Sequence, residues 1–167
     1  GFNNHKPSEL MFHMPLESRM EIATTGDTGR AFINAINHLD MLKGNIYNLA
    51  GGKKCRIIYK DFLSRSFKIF GLGNLDFKEN TFAGRNFHCG YYADGDILNN
   101  ILDFRRESID DYFINLEKNV PLIRKIPTTI FRKIIKYNLQ KKSEPLAAMV
   151  NKNQTDIRHY FNIIRKN

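Results

Sequence analysis

Few residues of this sequence combine the type and the spacing that chemistry requires. The glycines Gly51-Gly52 and Gly71-x-Gly73 are not followed by a third glycine at the spacing of a phosphate-binding loop. They therefore predict turns or helix caps. Asp27 precedes apolar residues at helical spacing, so we expect it to cap a helix rather than to act as an acid catalyst.

The elements that must position such residues begin with a strand, a helix and a second strand. A strand near Glu21 to Thr25 leads to Asp27, and the helix that follows, over about 28–39, has an apolar side. That side consists of Ala31, Phe32, Ala35, Ile36 and Leu39. Gly44 then marks the turn into a second predicted strand, Asn45 to Leu49.

The next segments predict one more strand and three helices. Cys55 to Tyr59 is the strand, and a helix over about 60–70 ends at Gly71. An arginine-bearing loop, Phe82-Ala-Gly-Arg-Asn-Phe-His-Cys-Gly-Tyr-Tyr-Ala-Asp94, leads to a helix over 95–102. A further helix over 108–118 begins with Ser108-Ile-Asp-Asp.

The order of these segments resembles the second half of the extended short-chain dehydrogenase/reductase family, the NAD-dependent epimerases and dehydratases that act on nucleotide sugars. In that family an arginine precedes a strand, an aspartate opens the next helix, and a strand ends in Tyr-Asn-Leu/Ile-Gly. Later an aromatic-Ala-Asp strand end leads to a short helix, and the last helix begins with Ser/Thr-x-x-Asp/Glu. The resemblance covers about residues 10–118, and Asp103 stands where glycine is usual.

This resemblance implies an α/β chain that corresponds to the C-terminal portion of a Rossmann-type enzyme. The glycine-rich, dinucleotide-binding half is missing from the sequence, so NAD or NADP is expected in the parent enzyme and not on this chain alone. We therefore expect a substrate-binding portion that is not catalytic by itself. The sequence does not distinguish an epimerase from a dehydratase or a reductase, and it does not identify the sugar.

The resemblance also implies the substrate-binding residues. Arg19 and Arg85 stand where arginines of the family clamp the diphosphate, since a guanidinium group matches phosphate oxygens and stays charged. The alternative for each is a surface salt bridge. His88 could form a hydrogen bond with a sugar hydroxyl, or it could be a structural residue. The family's Tyr-x-x-x-Lys pair has one match, Tyr137 and Lys141, but it lies downstream of the expected place, and we interpret it as a solvated helix face.

Charge separates the last fifty residues from the others. Residues 118–167 contain 12 Lys or Arg and 2 Asp or Glu, whereas residues 1–117 contain 14 and 15. Thr128 or Thr129 is expected to cap a helix over about 129–140, with apolar residues packed on one side and basic residues solvated on the other. Such a helix could instead attach to an anionic membrane surface, to an acidic partner or to nucleic acid. A further helix is expected from Thr155 through Ile164.

Together these observations predict two domains, a substrate-binding lobe (1–118) and a basic helical extension (119–167). Cys55 and Cys89 are too few and too far apart for a zinc motif or a disulfide framework, and no segment is apolar enough to span a membrane. We therefore expect a cytoplasmic protein whose partners are a nucleotide sugar, the missing dinucleotide-binding half and a second copy in a homodimer; nucleic acid is disfavoured. The alternative function is a non-catalytic interaction module that docks through its basic tail.

Overall fold

The computed structural model describes residues 9–161, which form a helix-rich chain with a small two-stranded sheet. The elements in chain order are β1 (Arg19–Glu21), α1 (Thr25–Ala35), α2 (Leu39–Leu42), β2 (Arg56–Ile58), α3 (Tyr59–Ile69), α4 (Gly95–Leu102), α5 (Ile109–Lys118), α6 (Leu122–Gln140), α7 (Glu144–Val150) and α8 (Gln154–Tyr160). They belong to two compact units.

One unit, called unit 2, consists of residues 19–58 and 89–119. Its strands β1 and β2 are antiparallel, with Arg19 opposite Ile58 and Glu21 opposite Arg56. Its core is formed by α1, α4 and the loop after α4, which contribute the buried residues Ala31, Leu98, Leu102 and Phe104.

The other unit, called unit 1, contains residues 59–88 and 120–161 together with the described part of the chain before residue 19. Phe12 is almost fully buried in it, and its ring meets those of Phe77 and Phe82 edge to face. A second cluster, Ala83, Ala148, Ile157 and Tyr160, joins α7 and α8 to the loop before residue 84.

Most of the predicted helices are confirmed. Helix α4 has the predicted bounds, and α3 and α5 differ from the prediction by a single residue. Helix α5 begins with the expected capping box, in which the Ser108 hydroxyl accepts from the Asp111 amide and the Asp111 carboxylate accepts from the Ser108 amide. The helix expected from Thr155 is α8, but it ends at Tyr160, and Phe161, expected to be helical, has an extended backbone. The rest of the expected continuation, to Ile164, lies outside the described residues.

The predicted strand Asn45 to Leu49 is wrong. No strand of the described residues pairs with this segment, although Tyr47 and Leu49 pack against the core of unit 2. A strand needs a neighbour to accept its backbone hydrogen bonds, and side-chain pattern alone does not provide one. Residues 9–161 consequently contain a short antiparallel ladder and not an extensive sheet.

The predicted start of the basic helix is also wrong. Helix α6 begins at Leu122 after Pro121, seven residues before the expected start, and Pro127 lies inside it. The hydroxyls of Thr128 and Thr129 do not cap the helix but donate to backbone carbonyls four residues earlier.

The division into domains at residue 118 stays a prediction. The two compact units interleave along the chain, and helix α6, the longest basic element, shares unit 1 with α3.

Candidate functional site

The side chains of Arg19, Arg56 and Tyr91 form a cluster in unit 2, called here the arginine–tyrosine cluster; Arg19 and Tyr91 are exposed, and Arg56 is partly buried. The guanidinium carbon of Arg56 lies 4.5 Å from the centroid of the Tyr91 ring, and that of Arg19 lies 5.9 Å from the same centroid. Cation–π attraction holds guanidinium groups at such distances. The ring thus gathers two positive charges at one place on the surface.

The short sheet positions both arginines on one face. Arg56 pairs with Glu21 across the ladder, and Arg19 is two residues before Glu21 on the same strand. Because side chains alternate along a strand and paired residues point to the same side, Arg19 and Arg56 share a face.

Glu21 fixes the orientation of Arg56. Its carboxylate is buried, accepts from the Nε of Arg56 at 2.9 Å and accepts from the backbone amide of Gly52 at 2.8 Å. A buried carboxylate needs such donors, so losing either hydrogen bond would leave the charge of Glu21 less well satisfied. The backbone amide of Gly52 therefore donates to a side chain of the protein. This agrees with the turn predicted at Gly52.

Arg105 contributes positive charge near the same part of unit 2 but is bound within the structure. Its Nε donates to the carbonyl of Ala50 at 2.7 Å, and its other nitrogens contact the carbonyl of Gly95 and the carboxylate of Asp96. The hydrogen bond from Arg105 holds the pKa of Asp96 below its usual value, and the charges of Arg56 and Lys53 add to this effect. Arg105, Arg56 and Lys53 therefore all stabilise the negative charge of Asp96 in this region of unit 2.

The other predicted substrate-binding residues, Arg85 and His88, belong to unit 1, whereas Arg19 belongs to unit 2. Arg85 and His88 are both exposed. The Nε of Arg85 donates to the side-chain oxygen of Asn86 at 3.2 Å. The diphosphate clamp and the sugar contact of His88 stay predictions.

Asp27 is not the cap of α1. Thr24 occupies that position, and its hydroxyl accepts from the Asp27 amide at 3.2 Å. The Asp27 carboxylate is fully buried, pairs with Arg30 at 2.5 Å and accepts from the amides of Arg106 and Glu107. It joins α1 to the chain before α5, which is a structural function.

Asp103 adopts a backbone conformation that usually favours glycine. It follows α4 with a φ of 43°, in the left-handed region that glycine adopts without cost. Aspartate tolerates this conformation better than most residues, and the Asp103 carboxylate pairs with Arg106 at 2.6 Å.

The Tyr137 and Lys141 pair lies on an exposed side of α6, as expected for a solvated helix face. The Lys141 ammonium is 4.4 Å from the centroid of the Tyr137 ring, and both residues are exposed. In this arrangement the lysine stacks on the ring of the tyrosine.

One further cavity lies in unit 1 between α6 and the loop after α3. Its volume is about 170 Å³, and its charged lining residues are Asp76, Arg132, Lys133 and Lys136. Binding sites for cofactors and drug-sized ligands usually measure about 300–1,000 Å³, so this cavity is too small for a nucleotide sugar.

Neither metal nor disulfide chemistry is supported by residues 9–161. They contain no group of His, Cys, Asp or Glu that could hold a metal ion, and both cysteines are free thiols, Cys55 buried and Cys89 exposed. Burial, together with the charges of Asp27 and Glu21, raises the pKa of Cys55 to about 11, which disfavours the reactive thiolate.

Sequence reasoning missed Arg56 and Tyr91. Arg56 lies in the strand predicted over 55–59, but that prediction did not indicate which strand would pair with it. The antiparallel pairing with β1, which brings Arg56 next to Arg19, had no signal in the sequence because the two strands are separated by α1 and α2.

Comparison of the chain with models of known protein families, with curated proteins and with solved structures finds no match. In residues 9–161, the helices are all too short or too polar to cross a lipid bilayer.

Proposed function

We propose that this chain is the substrate-binding portion of an NAD(P)-dependent nucleotide-sugar epimerase, dehydratase or reductase, of Rossmann type as a whole, and that Arg19 binds the diphosphate of the substrate. The observation that carries the proposal is the arginine–tyrosine cluster, in which Arg19 and Arg56 are held at one exposed place. Two guanidinium groups side by side match the charge and the geometry of a diphosphate.

The outer side of α1 also supports a role as part of a larger enzyme. Phe32, Ile33 and Ile36 are each about two-thirds exposed there, at 66–69%. An apolar patch of this kind commonly marks an interaction surface. In our proposal the dinucleotide-binding half of the enzyme covers this patch and supplies the cofactor.

The isolated chain should bind a nucleotide sugar weakly, because the walls that the other half would contribute are absent. We expect a Kd between about 0.1 and a few millimolar, or roughly 4–6 kcal/mol of binding free energy, and we expect NAD not to bind.

Calorimetric titration with UDP-glucose and with NAD tests this proposal. Arg19→Ala should weaken UDP-glucose binding by about tenfold or more, since a hydrogen bond to a charged group contributes about 1.5–3 kcal/mol. Arg85→Ala tests in the same way whether the arginine of unit 1 takes part. Arg124→Ala, which removes an exposed arginine of α6, is the matched control and should leave binding unchanged.

Two results would contradict the proposal. UDP-glucose binding that survives Arg19→Ala at full strength would exclude this arginine from the diphosphate site. Clear binding of NAD to the chain would show that a cofactor site is present after all.

A further inference from the structure

Helix α6 exposes its apolar side to solvent. Residues of this side recur at helical spacing over 15 residues, a rise of about 21 Å, and are 57–81% exposed. They form what is called here the α6 stripe: Ile123, Ile126, Ile130, Ile134 and Tyr137. The packing expected for the apolar side is therefore wrong for these residues, whereas most basic residues of the segment are solvated as expected.

The opposite side of α6 is fastened to the loop after α3. The Lys136 ammonium contacts the Asp76 carboxylate and donates to the carbonyl of Asn74 at 3.3 Å. Gly71, with a φ of 81°, lies so close to α6 that a Cβ there would meet the Thr129 hydroxyl at 2.5 Å. Turning the stripe inward would break these contacts, so the helix presents its apolar side in a preformed orientation.

Positive charge surrounds the stripe. Residues 120–143 contain seven basic residues and no acidic one; the basic residues are Arg124, Lys125, Arg132, Lys133, Lys136, Lys141 and Lys142. Helical spacing places Arg124 along one edge of the stripe and Lys133 along the other, and Lys141 follows at its C-terminal end. All three are exposed.

We propose that the α6 stripe docks on an anionic lipid bilayer surface, with α6 lying parallel to it. Apolar side chains would enter the boundary between headgroups and acyl chains, and the basic edges would contact the anionic headgroups, as in amphipathic helices that lie in a membrane interface. Charge complementarity favours this occupant. A second copy of α6 would bring two like-charged edges together.

Cosedimentation of the full chain with lipid vesicles tests the proposal. We expect binding to vesicles that contain phosphatidylglycerol in phosphatidylcholine, little binding to phosphatidylcholine alone, and weaker binding as salt is raised from about 50 to about 500 mM, because salt screens the charge contribution. The double substitution Ile130→Ser/Ile134→Ser should reduce binding by at least about tenfold. Both side chains are exposed, and circular dichroism verifies that the variant folds.

A second variant and a matched control separate the contribution of the basic residues to vesicle binding from that of the apolar stripe. Arg124→Ala/Lys133→Ala should lower the affinity for anionic vesicles and remove most of its salt dependence. The control, Ile33→Ser/Ile36→Ser, removes two isoleucines of similar exposure from the outer side of α1 and should bind as the parent does.

Several outcomes would overturn the proposal. One is absence of binding to anionic vesicles; another is equal binding to neutral vesicles; a third is full binding by the stripe variant. Loss of binding in the control alone would assign the contact to α1. A dimer in size exclusion that the stripe substitutions dissociate, without vesicle binding, would assign the stripe to a second copy of the chain.

Discussion

Helices α1 and α6 share an arrangement and differ in charge. Each directs a charged side chain toward its own unit and exposes large apolar side chains to solvent: α1 holds Asp27 inside and Ile33 outside, and α6 holds Lys136 inside and Ile130 outside. Residues 25–42 contain one arginine and two aspartates, however, whereas α6 contains five basic residues and no acidic one. Similar apolar surfaces thus have surroundings that suit different partners.

The inward contacts differ in kind as well. Asp27 is fully buried and satisfies two backbone amides and Arg30, whereas Asp76, the partner of Lys136, is 66% exposed on its side chain. Removing a buried charge leaves its partners unsatisfied in a medium that solvates them poorly, while removing an exposed one lets water replace it. We therefore infer that α1 is fastened much more strongly than α6.

The largest effect should come from Asp27→Ala. Removing this carboxylate leaves the amides of Arg106 and Glu107 without their acceptor and takes from Arg30 its carboxylate partner, and we expect a loss of about 3–5 kcal/mol in the free energy of unfolding. Urea unfolding followed by circular dichroism measures it. Asp40→Ala, an exposed aspartate of α2, is the control and should change stability by less than about 0.5 kcal/mol. Equal effects of the two substitutions would show that Asp27 does not fasten α1.

The second effect is a loss of stability in alkaline solution. The pKa of Cys55 is raised from 9.0 to about 11 by burial and by the charges of Asp27 and Glu21, with Arg105 opposing them. Because the folded protein holds the thiol proton more tightly than the unfolded chain does, Cys55 contributes up to about 3 kcal/mol to the free energy of unfolding below pH 9. This contribution is lost as the pH rises through 11. Cys55→Ala should consequently lose less stability than the parent between pH 9 and 11 in urea unfolding. A parallel decline in both proteins would exclude the thiol as the cause.

A smaller effect is expected at the inward side of α6. Lys136→Met keeps the apolar stem and removes the contact with Asp76, for an expected cost of about 1 kcal/mol near neutral pH. The hydrogen bond from Lys136 lowers the pKa of Asp76 below 3.8, so the contact contributes above that pH and is lost as the pH falls below it. The difference between parent and variant should therefore shrink in acid. A cost as large as that of Asp27→Ala would remove the contrast between the two helices.

The smallest effect should come from the outward residues. Ile130→Ser and Ile33→Ser each alter a side chain that is about two-thirds exposed, and each should change the free energy of unfolding by less than about 0.5 kcal/mol. Thermal and urea unfolding of both variants test this expectation. A loss of more than about 2 kcal/mol for either would mean that the side chain is covered in solution by part of this chain or by a second copy.

Local features of the fold were predictable because their causes are local. Ser108 and Asp111 make a capping box by their own spacing, and the apolar residues of α4 specify its length. Thr24 and Asp27 show the limit of such reasoning, because both can cap a helix and the buried partners of Asp27 come from residues about eighty positions later.

The candidate site was only partly predictable. Arg19 is a prediction from the family resemblance, whereas Arg56 and Tyr91 come next to it by strand pairing and by a loop distant in sequence. The sequence gives no sign that Glu21 has a structural role, because a carboxylate near an arginine is common on protein surfaces. Only its burial in the folded protein gives it this role.

By itself the sequence determined the helix-rich character of the chain, the ends of α3, α4 and α5, and the concentration of basic residues after residue 117. These follow from spacing, capping residues and composition, which act within a few turns of a helix. Tertiary structure alone decided that β1 pairs with β2, that Asp27 is buried, and that α6 turns its isoleucines outward. The same amphipathic pattern permits either side of a helix to face the protein, and contacts with residues far away in the sequence select which side is buried.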